Sequence, residues 1–243
     1  TALTLPHSGD WLNVVPSIAL GLHLRPQEFV MVARYRLGLP LYTKEGPCPS
    51  CRQHSDVRGN HAMCCGSGGE RISRHNHLRD HLHDTAAAAG LGPRKEVRFL
   101  IPGNDSRPAD VLLPHWKAGK DVALDVAVVN PCKGGTVVEA AAAAGYALND
   151  TFKSKMQKSA EACQREGVIF MPMVTESFGG WHEVAVTEVE RLGAALSRQS
   201  GQDEDEAVRH LWGKLAILLQ RGNAAILGNR VPDFPAPAID GRH

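Results

Sequence analysis

Apolar positions along the chain recur at two spacings. Some stretches repeat every three to four residues, as an amphipathic helix does, and others alternate or run unbroken over five to nine residues, as a strand does. The first forty residues contain "WLNVVPSIALGLHL", which reads as strand or loop. They continue into "PQEFVMVARYRLGLPLY", which predicts one helix with Phe29, Val32 and Leu37 on its inner face. Gly46-Pro47 marks a break. From about Gly69 a helical pattern begins in "ERISRHNHLRDHLHDTAAAAG", ended by Gly90 and Pro93. His75, Leu78, Leu82 and Ala86 share its inward face, Arg71 and Arg79 flank His75, and Arg74, His77 and His81 are expected outside.

Three strand-like runs follow, "EVRFLI", "ADVLLP" and "DVALDVAVV", and a glycine turn between the last two predicts a hairpin. An Ala-rich stretch leads to a helix from Tyr146 to Glu166, then "GVIFMPMV" reads as a short buried strand, and helix resumes after Trp181. The acidic "SGQDEDE" reads as a solvated linker and helix N-terminus. A last helix places Leu211, Leu215 and Leu218 over the domain's own core, ahead of an irregular Pro-rich tail. Helix, three strands, helix, strand is the order of an α/β (α+β) fold with a mixed sheet covered by helices.

At 243 residues the chain can bury one substantial core with a small satellite module. No apolar run approaches the ~20 residues of a membrane span, and no signal-peptide pattern opens the chain. A first residue of threonine leads us to expect a fragment or processed piece of something longer. Lys and Arg total 27 against 26 Asp and Glu, and a net charge of +1 argues against a purely electrostatic nucleic-acid binder. Six cysteines, four of them within residues 48–65 and interleaved with histidines, fit a metal site in a reducing compartment better than a secreted disulfide scaffold.

That cluster, "CPSCRQHSDVRGNHAMCC", gives Cys48-x2-Cys51, then His61, then Cys65. Two thiols on a tight turn and a His/Cys pair spaced by three can close a tetrahedron around Zn²⁺, with Cys64 and His54 as spare candidates. Such a site leaves no open position for substrate, so a structural knuckle is expected. Arg52 and Arg58 project from the same loop, where they suit a nucleic-acid backbone. The chain then divides into a linker and helix (1–46), the knuckle (47–69), the core (70–200) and the last helix and tail (201–243).

Two of the strand-like runs each carry an aspartate, Asp110 and Asp125, with fourteen residues between them. Burying a carboxylate costs several kcal/mol unless a partner compensates. On an antiparallel hairpin the two acids lie at one end, where a divalent cation can sit between them and stabilise charge on a phosphodiester. In "TFKSKMQKSAEAC" the face of Phe152, Met156, Ser159 and Cys163 turns inward; Lys155 lies at its edge, Lys158 further round and Lys153 opposite. Taken singly, these residues read equally as a capped turn, an ion pair and solvated lysines.

The set, in this order, resembles the C-terminal part of the polyprotein of site-specific non-LTR retrotransposons, where a CCHC knuckle precedes a restriction-like endonuclease of the PD-(D/E)xK superfamily. The resemblance is carried by Cys48, Cys51, His61 and Cys65, by Arg74-His75-Asn76, by "RPAD" and "LDV", by Lys155-x2-Lys158, and by the flanks "WLNVVPSIALGL", "RLGLPLY" and "LQRGNAAIL". It implies a nuclear Mg²⁺- or Mn²⁺-dependent endodeoxyribonuclease that nicks target DNA to prime reverse transcription. Its implied partners are DNA, the element RNA and a reverse transcriptase domain in the same polypeptide. Asp110 and Asp125 would hold the catalytic metal, Lys155 and Lys158 would act in catalysis or on phosphate, and Arg74, His75 and Asn76 would support the site or touch DNA. "RPAD" departs from the family order R-x-P-D, Ser159 stands where tyrosine often follows the lysine pair, and there is no YxDD box. The competing reading is a non-catalytic nucleic-acid-binding module with a structural zinc. A third is a structural interaction domain whose last helix docks on a partner.

Overall fold

A computed structural model describes residues 2–98, 100–101 and 108–230. After a 3-10 turn at Ala2–Thr4 come α1 (Asp10–Asn13), α2 (Pro26–Arg36), β1 (Gly46–Pro47), β2 (His54–Ser55), α3 (Asn60–Cys64) and α4 (Glu70–Ala88). The sheet segment follows with β3 (Arg94–Lys95), β4 (Val111–Lys117) and β5 (Lys120–Val129), then α5 (Val137–Ala142), α6 (Tyr146–Arg165), β6 (Ile169–Glu176), α7 (Glu183–Ser200) and α8 (Glu204–Gly228). No helix among the described residues is long and apolar enough to cross a membrane.

The fold is mixed α/β, with a four-stranded sheet in the order β3-β4-β5-β6 and a small two-stranded sheet, β1-β2. Val111 pairs with Leu124 across the antiparallel β4-β5 hairpin, which is closed by Ala118 (φ 51°) and Gly119 (φ 73°). Positive φ at both loop positions matches the twist of the flanking strands. The crossover through α6 makes β6 parallel to β5, with Asp125 opposite Pro172. Proline lacks an amide donor and is tolerated here because β6 is the sheet edge.

Strand alternation sorts the core into two layers. Val111, Leu113, Val122, Leu124 and Val126 face α4, α7 and α8, meeting Leu78, Leu82, Val189, Leu192, Leu211, Leu215 and Leu219. Leu112, Ala123 and Phe170 face the other way, toward Cys163, with Met156 and Ala160 of α6 packed against them. By the same alternation Asp125 points to the α6 side. Leu211 and Leu215 are buried in the domain's own core, and Leu218 packs against it.

A second cluster joins α2, α3 and α8 through Met31, Val32, Tyr35, Met63, Ile217, Ile226 and Leu227. The inner face of α2 is thus Met31, Val32 and Tyr35; Phe29 and Leu37, expected there, are 46% and 70% exposed. Leu37 is already the C-cap, and the half-exposed Phe29 ring meets Trp11 edge-on. The run "EVRFLI" also pairs elsewhere than expected. The ladder uses Arg94 and Lys95, and Glu96, at φ 47°, leaves extended geometry. Phe99 and the Pro-rich tail lie outside the described residues.

At the end of β6, Glu176 is 1% exposed and its Oε2 has no hydrogen-bond partner among the described residues. Burial pushes its carboxyl up to about 7. An unfolded glutamate titrates near ~4.3, so between roughly pH 4 and pH 7 the native state binds more protons, and stability falls as pH rises through that window. Glu176→Gln is expected to match wild type in urea unfolding near pH 4. At pH 8 it should exceed wild type by on the order of 2–3 kcal/mol. Equal gains at both pH values would contradict this.

Candidate metal centre and carboxylate–lysine site

The β1-β2 hairpin and α3 bring Cys48, Cys51, His61 and Cys65 together, with their four ligand atoms all within 4.8 Å of one another. Among the described residues this is the one cluster of three or more such donors. The turn is tight because the Cys48 amide donates to Gln53 O (2.7 Å) and the Arg52 amide to Cys48 O (2.9 Å), with Arg52 at φ 64°. Cys51 Sγ lies 3.2 Å from His61 Nε2. Three thiols and one imidazole, closed on themselves, form a Cys₃His metal-binding group with the donor set of a structural zinc site.

Both spare candidates point elsewhere. Cys64 Sγ accepts from Asn130 Nδ2 at 3.4 Å, and His54 faces Glu45. Burial acts to raise the Cys65 thiol, but hydrogen bonds involving the Ser67 amide, Cys51 and Arg230 outweigh it and hold the thiol low. A lowered thiol is readier to bind a cation.

One residue that shapes this centre went unread in the sequence. The Asp56 carboxylate accepts from the amides of Arg58 (2.9 Å), Asn60 (3.2 Å) and His61 (2.7 Å), capping α3 and fixing His61. An aspartate just ahead of a short helix was the available signal. Gly59 (φ 80°) packs against α8 so closely that a Cβ there would lie 2.6 Å from Leu227 and 2.9 Å from Leu41. Arg52 and Arg58 are exposed on this loop, and Arg58 Nε donates to Gly38 O at 3.2 Å.

The second constellation sits where β4 begins. The Asp110 amide donates to Leu124 O (2.9 Å), and its Oδ2 accepts from the Val126 amide (2.7 Å). Asp110 is therefore pinned beside Asp125 by continuation of the hairpin register. His75 approaches from α4, with Nε2 3.2 Å from Asp110 Oδ1. From α6, Lys155 Nζ donates to Asp125 Oδ2 at 2.6 Å. All four side chains keep between 18% and 29% of their surface exposed. Burial raises the Asp125 carboxyl above the usual range and the charge of Asp110 adds to this, while Lys155 opposes it without reversing it. Additional positive charge at this point would relieve both acids.

Lys158, further round α6, is exposed, as is Lys153; neither has an ion-pair partner among the described residues. Asn76 is partly buried on α4 and His77 is exposed. Arg74 overturns the expectation of an outward residue: it is 3% exposed, and Nη1 donates to Asn223 Oδ1 of α8 at 2.6 Å. As placed, it is a buried support rather than a surface contact to DNA. His81 is also largely buried, and burial pulls its imidazole down to about 4. Arg107 of "RPAD" lies outside the described residues.

No protein-family model matches the chain, and no curated protein matches it.

Proposed function

We propose that the protein is a metal-dependent endonuclease that nicks DNA, of the restriction-like kind that follows a zinc knuckle in site-specific non-LTR retrotransposons. The observation that carries this reading is the meeting of Asp110, Asp125 and Lys155 at one end of the β4-β5 hairpin, with Lys155 Nζ 2.6 Å from Asp125 Oδ2. Asp110 and Asp125 would hold Mg²⁺ or Mn²⁺. Two carboxylates suit Mg²⁺, which keeps several waters and is completed by phosphate oxygens. Bound there, the ion would polarise the phosphodiester and lower the pKa of a coordinated water.

The chain's own groups account for the rest. Lys155 is held at the carboxylates by its ion pair and presents the cation that would stabilise charge on the phosphate. His75 fixes one oxygen of Asp110, and the Val126 amide fixes the other. Cys48, Cys51, His61 and Cys65 would hold a structural Zn²⁺, and Arg52, Arg58 and Lys158 would meet the DNA backbone. Lys155→Ala is expected to slow nicking of supercoiled plasmid by on the order of 10²–10³-fold while leaving plasmid binding within about threefold. Equal loss of binding and nicking would make Lys155 a DNA contact instead.

A specific observation favours the second reading, a nucleic-acid-binding module without catalysis. Among the described residues two acids meet at this end of the hairpin, and Lys155 is already paired with one of them. That reading predicts salt-dependent DNA binding that survives Asp125→Ala, with no cleavage in any divalent ion.

A further inference from the structure

Arg230 follows the last turn of α8, and none of its side-chain surface reaches solvent. Nη2 donates to the carbonyl of Ser67, two residues beyond Cys65, and lies 3.1 Å from Glu70 Oε2 at the start of α4. Asn229 Nδ2 donates to the other Glu70 oxygen at 3.0 Å. The position is closely built. Gly68, at φ 97°, passes so near that a Cβ there would lie 2.5 Å from Glu70 Oε2 and 3.0 Å from Arg230 Nη2. The end of α8, the start of α4 and the segment that carries Cys65 thus close on one guanidinium.

The hydrogen bonding of that guanidinium is incomplete. Nε and Nη1 are shielded from water and have no partner among the described residues. A buried guanidinium left in that state costs free energy unless further negative charge meets it. Glu70 supplies part of that charge, but it is shared with Asn229 and keeps 16% of its side chain exposed. Cys65 is a second acceptor in reach, since its thiol already interacts with the Arg230 donors. A thiol is a weak acceptor, and a metal-bound thiolate is a stronger one. Three thiolates, a neutral imidazole and a divalent ion leave one negative charge at Cys48, Cys51, His61 and Cys65. Arg230 matches it in size and opposes it in sign.

We infer that Arg230 is the counter-charge of the metal centre, a positioning residue whose guanidinium donates to the Cys65 thiolate when metal is bound and offsets the charge of the three sulfurs. This rests on the structural-zinc reading above and is independent of the nuclease reading. Metal binding releases the thiol protons to solvent, so the anion that completes Arg230 forms as the metal enters. Because Arg230 also holds Glu70, the metal centre and the helix that carries His75 share this one residue.

The test uses the full chain, measuring Zn²⁺ affinity by competition with a chromophoric chelator and recording the spectrum of the Co²⁺-loaded protein. Arg230→Gln, which keeps amide donors without the charge, is expected to weaken zinc by roughly 10–100-fold with far-UV circular dichroism unchanged. Its cobalt protein should show the sulfur-to-metal charge-transfer band at lower energy, because a thiolate without its cationic donor gives up an electron more readily. Arg230→Lys should recover part of both effects. Glu70→Gln leaves Arg230 a neutral acceptor and should not weaken zinc. An unmoved affinity and cobalt band in folded Arg230→Gln, or an equal loss in Glu70→Gln, overturns the inference and makes Arg230 a strut between α8 and α4. Wild type that takes up no Zn²⁺ and gives no tetrahedral Co²⁺ spectrum overturns the zinc reading itself, and the inference with it.

Discussion

Cys65→Ser, or removal of the metal with a chelator, is expected to lower stability by more than about 4 kcal/mol, the range reserved for loss of a metal or a comparable structural element. The loss should also be local. The knuckle side of the molecule is held by Leu41, Tyr42, Ala62 and Met63 packed on Ile226 and Leu227, and Tyr42 Oη donates to Leu227 O at 3.1 Å. None of these contacts reaches the cluster formed by the sheet with α4, α7 and α8. Hydrogen exchange on the metal-free protein should thus show α2 and α3 losing protection while β4, β5 and β6 keep theirs. Elemental analysis should give one zinc per chain in wild type and none in Cys65→Ser. Cys64→Ser should retain zinc, because Cys64 faces Asn130. An unchanged melting temperature after chelation would remove the structural role.

The second large effect concerns the acids. Asp110→Asn and Asp125→Asn are each expected to abolish detectable Mn²⁺ binding by electron paramagnetic resonance, and to slow cleavage by on the order of 10³-fold, about 4 kcal/mol in the barrier. Stability should respond differently. Asp125 carries the cost of a buried carboxylate that Lys155 only partly relieves, so Asp125→Asn should unfold within about 1 kcal/mol of wild type. A variant that loses cleavage by unfolding would not fit this pattern.

Much of this arrangement was legible from residue spacing. The helix that became α4 was bracketed by Gly69 and Gly90, and its apolar positions Leu78, Leu82 and Ala86 are all buried. The edge position of Lys155, against the exposed Lys153 and Lys158, follows from 100° of rotation per residue. The fourteen-residue spacing of the acids became a hairpin with Val111 opposite Leu124, which leaves Asp110 abreast of Asp125.

What was misread depended on partners remote in sequence. Arg74 looked like a surface residue because a charged side chain is seldom buried without an opposite charge, even though Leu78 and Leu82 continue its face of α4. Its place is made by Gly222 and Asn223 on α8, roughly 150 residues away. On α2, Phe29 and Leu37 had the right chemistry for a core, but α8 meets the helix along Met31, Val32 and Tyr35 instead. Composition alone held no trace of the strand break at Glu96, which comes from a positive φ.

The most direct measurement is relaxation of supercoiled plasmid by the purified, zinc-loaded chain in Mg²⁺ or Mn²⁺, beside Asp125→Ala. Nicked circles appearing with wild type and not with Asp125→Ala are the predicted result. Identical lanes, in protein shown to be folded and metal-loaded at Cys48, Cys51, His61 and Cys65, would contradict a phosphodiesterase at Asp110 and Asp125 and leave a DNA-binding module.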